Sequence, residues 1–189
     1  MRIAVSGTHF IGKSTLIEDF VKRHPNYKSE IEPYYNYNME NEKSMELSLE
    51  PSIDSLLEQL DYNINQLNEC KNEKNVIFDR CPVDFIAYSM CALDEDNVDI
   101  NDSEISERFD DIKTALNSLD LILFLPINKE NSIVYTEENP AYRKLADKCF
   151  KKIYRDDVCD IFPRHNHPKI VEIYGDRLTR IKIVESYLI

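Results

Sequence analysis

Gly7-Thr8-His9-Phe10-Ile11-Gly12-Lys13-Ser14-Thr15 follows the apolar run Ile3-Ala4-Val5 and precedes Leu16-Ile17-Glu18-Asp19-Phe20-Val21, an order that reads as strand, glycine loop and helix. The spacing Gly-x-x-x-x-Gly-Lys-Ser is that of a phosphate-binding loop. Backbone N–H groups along Gly7 to Thr15 cup a triphosphate, Lys13 reaches its outer phosphates, and the Ser14 hydroxyl ligates Mg²⁺. The helix that starts here adds the positive end of its dipole. Only three glycines occur in the chain. Two of them, Gly7 and Gly12, stand in this loop, where a side chain would obstruct the approach of backbone to phosphate. The whole stretch is therefore assigned to ATP or another nucleoside triphosphate.

Outward from the loop, strands and helices alternate. Met1–Ser6 is a near-continuous apolar strand, as expected where both faces are covered, and the first helix runs from Lys13 to about Arg23 before Pro25. Tyr27–Glu32 reads as a short second strand ending at Pro33. Residues 34–50 have no clear period and read as a loop. From Pro51, the residues Ile53, Leu56, Leu57, Leu60, Ile64 and Leu67 keep helical spacing to about Asn72. Asn75–Asp79 is a third strand and Pro82–Leu93 a helix. The acidic run 94–99 is a solvated loop, and Asn101–Ser118 is a helix with Ile105, Phe109, Ile112 and Leu116 on one stripe. Leu119–Leu125 is the fourth strand. A polar loop follows to Asn139, then a helix over Pro140–Ile161, a fifth strand over Lys169–Tyr174, a turn at Gly175-Asp176 and a closing helix from Arg177. This order predicts an α/β fold with a five-stranded parallel sheet, right-handed crossovers and helices on both faces. Ligands of such a sheet gather beyond the carboxyl ends of the strands.

The chain of 189 residues, 42% hydrophobic, suits one domain over 1–189. A formal charge of −12 argues against nucleic acid or an anionic membrane as partner, since either needs a broad basic face. No membrane-length apolar run or signal-peptide pattern is present, so a cytoplasmic protein is expected. The five cysteines are odd in number and scattered, and read as buried free thiols. His165-Asn166-His167 lacks a nearby third ligand and reads as a surface turn rather than a metal site. Monomer and homodimer both remain open.

Two further strand ends carry chemistry at the edge where the loop lies. The second ends in Glu32-Pro33 and the third in Asp79-Arg80. Asp79 can hold the water shell of Mg²⁺ together with Ser14. Glu32 can accept the proton of an attacking hydroxyl, with Glu30 on the same face as its rival, and Arg80 can orient the acceptor. A local ion pair capping the helix at Pro82 is the plainer alternative for Asp79 and Arg80. The basic helix from Pro140 makes residues 127–161 a candidate lid, with Arg143 and Arg155 as the arginines able to meet the triphosphate. Tyr34, Tyr35 and Tyr37 can stack on a planar acceptor, and Asp176 lies beside the nucleotide base.

The loop GTHFIGKST, the Glu32-Pro33 step, the segment DRCPVDFIAY from Asp79 and the helix segment YRKLADKCFKKIY resemble the deoxynucleoside kinase and thymidylate kinase group of P-loop kinases. They also resemble P-loop domains of the nicotinamide-riboside kinase type. The resemblance covers most of the chain in order. It implies a three-layer P-loop fold with a helical lid and ATP- and Mg²⁺-dependent phosphorylation of a small acceptor. It also implies Lys13 and Ser14 on phosphates and metal, Glu32 as base, Asp79 and Arg80 at the acceptor, and Arg143 in the lid. Gln59 resembles the glutamine with which nucleoside kinases read a base. The pattern departs in three places: Glu-Arg-Ser of nucleoside kinases is here Asp79-Arg80-Cys81, the arginine before Glu-Pro of thymidylate kinases is here Ile31, and the lid is poorer in arginine.

Between Asn26 and Lys74, where an acceptor site would be built, there is no arginine. Gripping a phosphate dianion ordinarily calls for guanidinium forks, so an uncharged, nucleoside-like acceptor is expected over a nucleoside monophosphate. Two alternatives stay open: a regulatory nucleotide-binding module or NTPase without such an acceptor, and a monophosphate kinase.

Overall fold

A computed structural model describes residues 1–30, 52–95, 99–102, 104–129 and 139–188. The apolar runs form strands β1 (Arg2–Ser6), β2 (Lys28–Glu30), β3 (Val76–Asp79), β4 (Leu121–Phe124) and β5 (Lys169–Glu172), joined in one parallel sheet in the order β2-β3-β1-β4-β5. The helices are α1 (Lys13–Arg23), α2 (Ile53–Glu69), α3 (Pro82–Glu95), α4 (Phe109–Leu116), α5 (Pro140–Asp156) and α6 (Arg177–Glu185).

The period-two alternation of side chains sorts the strands onto two cores. Ile3, Val5, Ile77, Leu121, Leu123 and Val171 pack with Leu16, Ile17 and Phe20 of α1 and Ile181 and Val184 of α6. Ala4, Val76, Phe78, Ile122 and Phe124 face the opposite way, into the larger core built with α2, α3, α4 and α5. The result is a three-layer α/β/α fold, with β1 central and its carboxyl end flanked by β3 and β4.

Local chemistry starts the helices where polar caps stand. The Ser52 hydroxyl accepts from Ser55 N–H (3.3 Å), Asn139 from Tyr142 N–H (3.0 Å) ahead of Pro140, and Asp176 from Thr179 N–H (2.7 Å). At the amino edge Arg2 donates to the carbonyls of Leu67 (2.8 Å), Ser118 (2.6 Å) and Cys70, fixing the end of α2 against the sheet.

Two boundaries differ from expectation. The stretch from Asn101 to Ser118 is not one helix: 3₁₀ turns occupy Ile100–Asp102 and Ser106–Arg108, and only α4 is α-helical. Asp99 draws the backbone and side-chain N–H groups of Asn101 to its carboxylate (2.9 and 2.8 Å), and Arg108 is fastened to Asp61 (2.6 and 2.9 Å). Such local and tertiary bonds compete with helix propagation. Helix α5 stops at Asp156 rather than Ile161, because Asp157 takes the left-handed conformation (φ 45°) and its carboxylate accepts from Ile161 N–H (3.0 Å). The second strand is described only to Glu30 and the 34–50 loop lies outside the described residues. All five cysteines are free and buried, and no described helix is long and apolar enough to cross a membrane.

Candidate active site

The loop between β1 and α1 depends on glycine at two points. Gly7 has φ 142°, and a Cβ there would lie 2.7 Å from the carbonyl oxygen of Leu125, the residue that follows β4. Gly12, with φ 89°, turns the chain into α1. Within this turn the Lys13 ammonium is buried and donates to the carbonyls of Gly7 (3.1 Å) and Thr8 (3.0 Å). The lysine thereby holds the loop closed around its own charge.

Beneath the loop, the Ser14 hydroxyl donates to Asp79 Oδ2 at 2.9 Å, joining the start of α1 to the end of β3. A hydroxyl and a carboxylate side by side are the hard oxygen donors that Mg²⁺ takes, so the residues present fit that ion. Arg80 pairs with Asp84 (3.2 Å) in the first turn of α3, and it does so from a left-handed backbone (φ 80°) that few non-glycine residues adopt.

Asp84 carries more than the sequence suggested. It is fully buried, and its carboxylate accepts from the N–H groups of Gly7 and Cys81 as well as from Arg80, each at 3.2 Å. The first turn of α3 is thus anchored to the first amide of the phosphate loop. Replacing Asp84 by alanine takes the carboxylate from a buried guanidinium and two N–H groups, and should destabilise the fold by about 3 kcal/mol. A thermal melt of the purified variant should fall by roughly 10 °C; a fall under 2 °C would show that the anchor is dispensable.

Positive charge gathers over the loop from three elements. Arg143 of α5 is buried and donates to Thr8 Oγ1 and to the Phe10 carbonyl, both at 3.4 Å. The His9 imidazole registers this field: burial first, then the charges of Arg143, Lys13 and Arg80, hold its pKa down to about 4. A neutral histidine amid cations marks a site prepared for an anion. On the far side, the buried Arg180 of α6 donates to the carbonyls of Ile11 and Gly175, each at 2.9 Å. Tyr154 of α5 donates to Ser6 Oγ (2.7 Å) at the end of β1.

The remaining candidates fall as follows. Asp176 is exposed at the start of α6, where its carboxylate caps Thr179. Gln59 is buried on α2, and its amide donates to the carbonyl and hydroxyl oxygens of Ser55 (both 3.2 Å). It stands about 12 Å along the helix from the Leu67 carbonyl held by Arg2, toward the carboxyl edge of the sheet. Arg155 makes a bidentate pair with Glu172 (2.8 and 3.1 Å) at the end of β5. Glu30 is engaged by Lys28 at 2.6 Å. Glu32, Tyr34, Tyr35 and Tyr37 lie outside the described residues, as do residues 130–138 of the candidate lid. His165 and His167 join no three-ligand cluster among the described residues. Asp84 was signalled by its position four residues after Arg80, one helical turn away. Tyr88, Tyr154 and Arg180 carried no local signal.

A family model described as AAA domain matches residues 2–177. The chain belongs to the AAA domain family. No curated protein matches it in sequence. Among solved structures, this AAA domain is similar to deoxyadenosine kinase from M. mycoides with bound dATP, at 24% identity and a TM-score of 0.66, covering 100% of this chain and 99% of that one. It is also similar to the NadR protein in complex with NR (15% identity, TM-score 0.60, 98% of this chain and 49% of that one). A third likeness is to thymidylate kinase from Candida albicans (16% identity, TM-score 0.59, 98% and 89%). At these identities the likeness establishes a shared P-loop kinase fold.

Proposed function

We propose that the protein is a small-molecule kinase that transfers the γ-phosphate of ATP to a hydroxyl of a nucleoside or nucleoside-like acceptor. The observation that carries this reading is that Lys13 and Arg143 both donate to Thr8 of the phosphate loop (3.0 and 3.4 Å), while Ser14 at the end of the same loop is bonded to Asp79 (2.9 Å). Phosphoryl transfer asks chiefly for positioning and for positive charge around the moving group. In this proposal the loop amides and Lys13 hold the triphosphate, Ser14 and Asp79 hold Mg²⁺ when it is bound, and Arg143, seated on the loop at Thr8 and Phe10, adds its charge from α5. The ion supplies charge neutralisation at the phosphates.

On the acceptor side, Arg80 orients the incoming hydroxyl and Glu32 takes its proton. The engagement of Glu30 by Lys28 favours Glu32 of the two acids. That the similar structures include kinases named for deoxyadenosine and thymidylate supports a nucleoside or nucleotide acceptor. The absence of arginine between Asn26 and Lys74 favours the uncharged one. A coupled assay of ADP release with nucleosides, nicotinamide riboside and nucleoside monophosphates tests this directly. Nucleosides or the riboside should stimulate turnover. Stimulation by monophosphates alone would make it a monophosphate kinase, and no stimulation by any acceptor would leave the regulatory or NTPase reading.

A further inference from the structure

The phosphate loop is tethered in two opposite directions. Toward β5, Arg180 holds the Ile11 carbonyl next to Gly175. Toward β3, the His9 N–H donates to the Tyr88 hydroxyl of α3 at 2.9 Å, and Nδ1 of the same histidine lies 3.2 Å from the same oxygen. His9 therefore looks into the half of the site that holds Arg80, whose guanidinium carbon lies 5.7 Å from the centre of the Tyr88 ring.

The hydrogen bonds at Tyr88 bear on the state of that histidine. The phenol oxygen receives the His9 backbone N–H, and the Arg80 guanidinium lies over the Tyr88 ring. Burial, the largest influence on this group, raises its pKa, so the hydroxyl keeps its one proton. Among the described residues the acceptor within reach of that proton is Nδ1 of His9, at 3.2 Å. A ring nitrogen that accepts is unprotonated, so a neutral imidazole carries its hydrogen on Nε2. Among the described residues Nε2 has no partner beyond these contacts.

We propose that His9 positions the phosphoryl acceptor: its Nε2–H, in the tautomer imposed by Tyr88, donates to a neutral oxygen of the acceptor, a hydroxyl. This rests on the kinase reading above. A fixed, uncharged donor on the acceptor side of a loop otherwise ringed by cations suits a hydroxyl-bearing compound, while the phosphates are served by the loop's backbone amides and by Lys13. His9 and Tyr88 are then specificity-determining rather than nucleotide-binding.

The test uses the full chain with deoxyadenosine, thymidine and nicotinamide riboside as acceptors and AMP-PNP as the nucleotide probe. Nitrogen-15 spectra of histidine-labelled protein, assigned by loss of the signal in His9→Ala, should show the Nε2–H tautomer for His9. In Tyr88→Phe that preference should vanish. His9→Ala should raise the acceptor KM about fivefold, the effect of one lost hydrogen bond, with the dissociation constant of AMP-PNP changed less than twofold. His9→Gln, which carries an N–H donor at a similar reach, should recover most of the loss. A wild-type Nδ1–H tautomer would overturn the proposal. So would an unchanged acceptor KM in an active His9→Ala enzyme, or an AMP-PNP affinity that falls as much as the acceptor's; in these cases the kinase reading survives. If none of the three acceptors is turned over, the kinase reading falls and the role of His9 falls with it.

Discussion

Lys13→Ala should lower acceptor-stimulated turnover about a thousandfold, the scale on which removing one fixed charge-stabilising group acts in a water-excluded site. The ammonium is buried and held 3.1 and 3.0 Å from the carbonyls of Gly7 and Thr8. In the proposed role it meets the outer phosphates from within the loop that holds it. Two effects should appear together. AMP-PNP affinity should drop, because the charge is lost, and the melting temperature should fall by a few degrees, because the buried carbonyls of Gly7 and Thr8 lose their donor. The check is steady-state turnover with isothermal titration and a melt on the same preparation. Turnover within tenfold of the wild type would remove Lys13 from the transfer step.

Glu32→Gln should lower turnover by roughly 10²- to 10⁴-fold, the range for loss of a positioned general base, while AMP-PNP binding stays within about twofold. The register explains the choice of acid. Glu30 pairs with Phe78, which pairs with Ala4, so all three face the α2–α5 side of the sheet. Its carboxylate is engaged by Lys28 at 2.6 Å and is close to Cys70 and Glu73, toward the amino edge. The strand as read from the sequence ends at Glu32, whose structure lies outside the described residues. The same substitution separates an enzyme from a signalling module. In a module, nucleotide binding would persist and the wild type itself would show no acceptor-stimulated turnover to lose. Retention of turnover in Glu32→Gln, coupled with its loss in Glu30→Gln, would move the base to Glu30.

The order of elements and the phosphate loop were legible in the chain because they rest on local rules. Scarce glycine at two points of one loop, apolar runs of strand length and caps such as Asn139 and Asp176 state their consequences within a few residues. The helix boundaries that failed did so where a short acidic or polar side chain found a better partner than the helix, as at Asp99 and Asp157. Composition and spacing cannot weigh that competition, because it is decided by which groups happen to be within reach.

What the sequence by itself determined is a strand-loop-helix unit shaped for polyphosphate, repeated β and α segments that close into one parallel sheet, and the pairing of Ser14 with an acid at the end of a neighbouring strand. Only the tertiary structure decided what surrounds that unit. Asp84 under the first loop amide, Tyr88 against His9, Arg180 under Ile11 and Tyr154 at Ser6 come from segments between 77 and 169 residues distant. Their roles arise from buried hydrogen bonds, which form only once packing has excluded water and left each donor a single acceptor within reach.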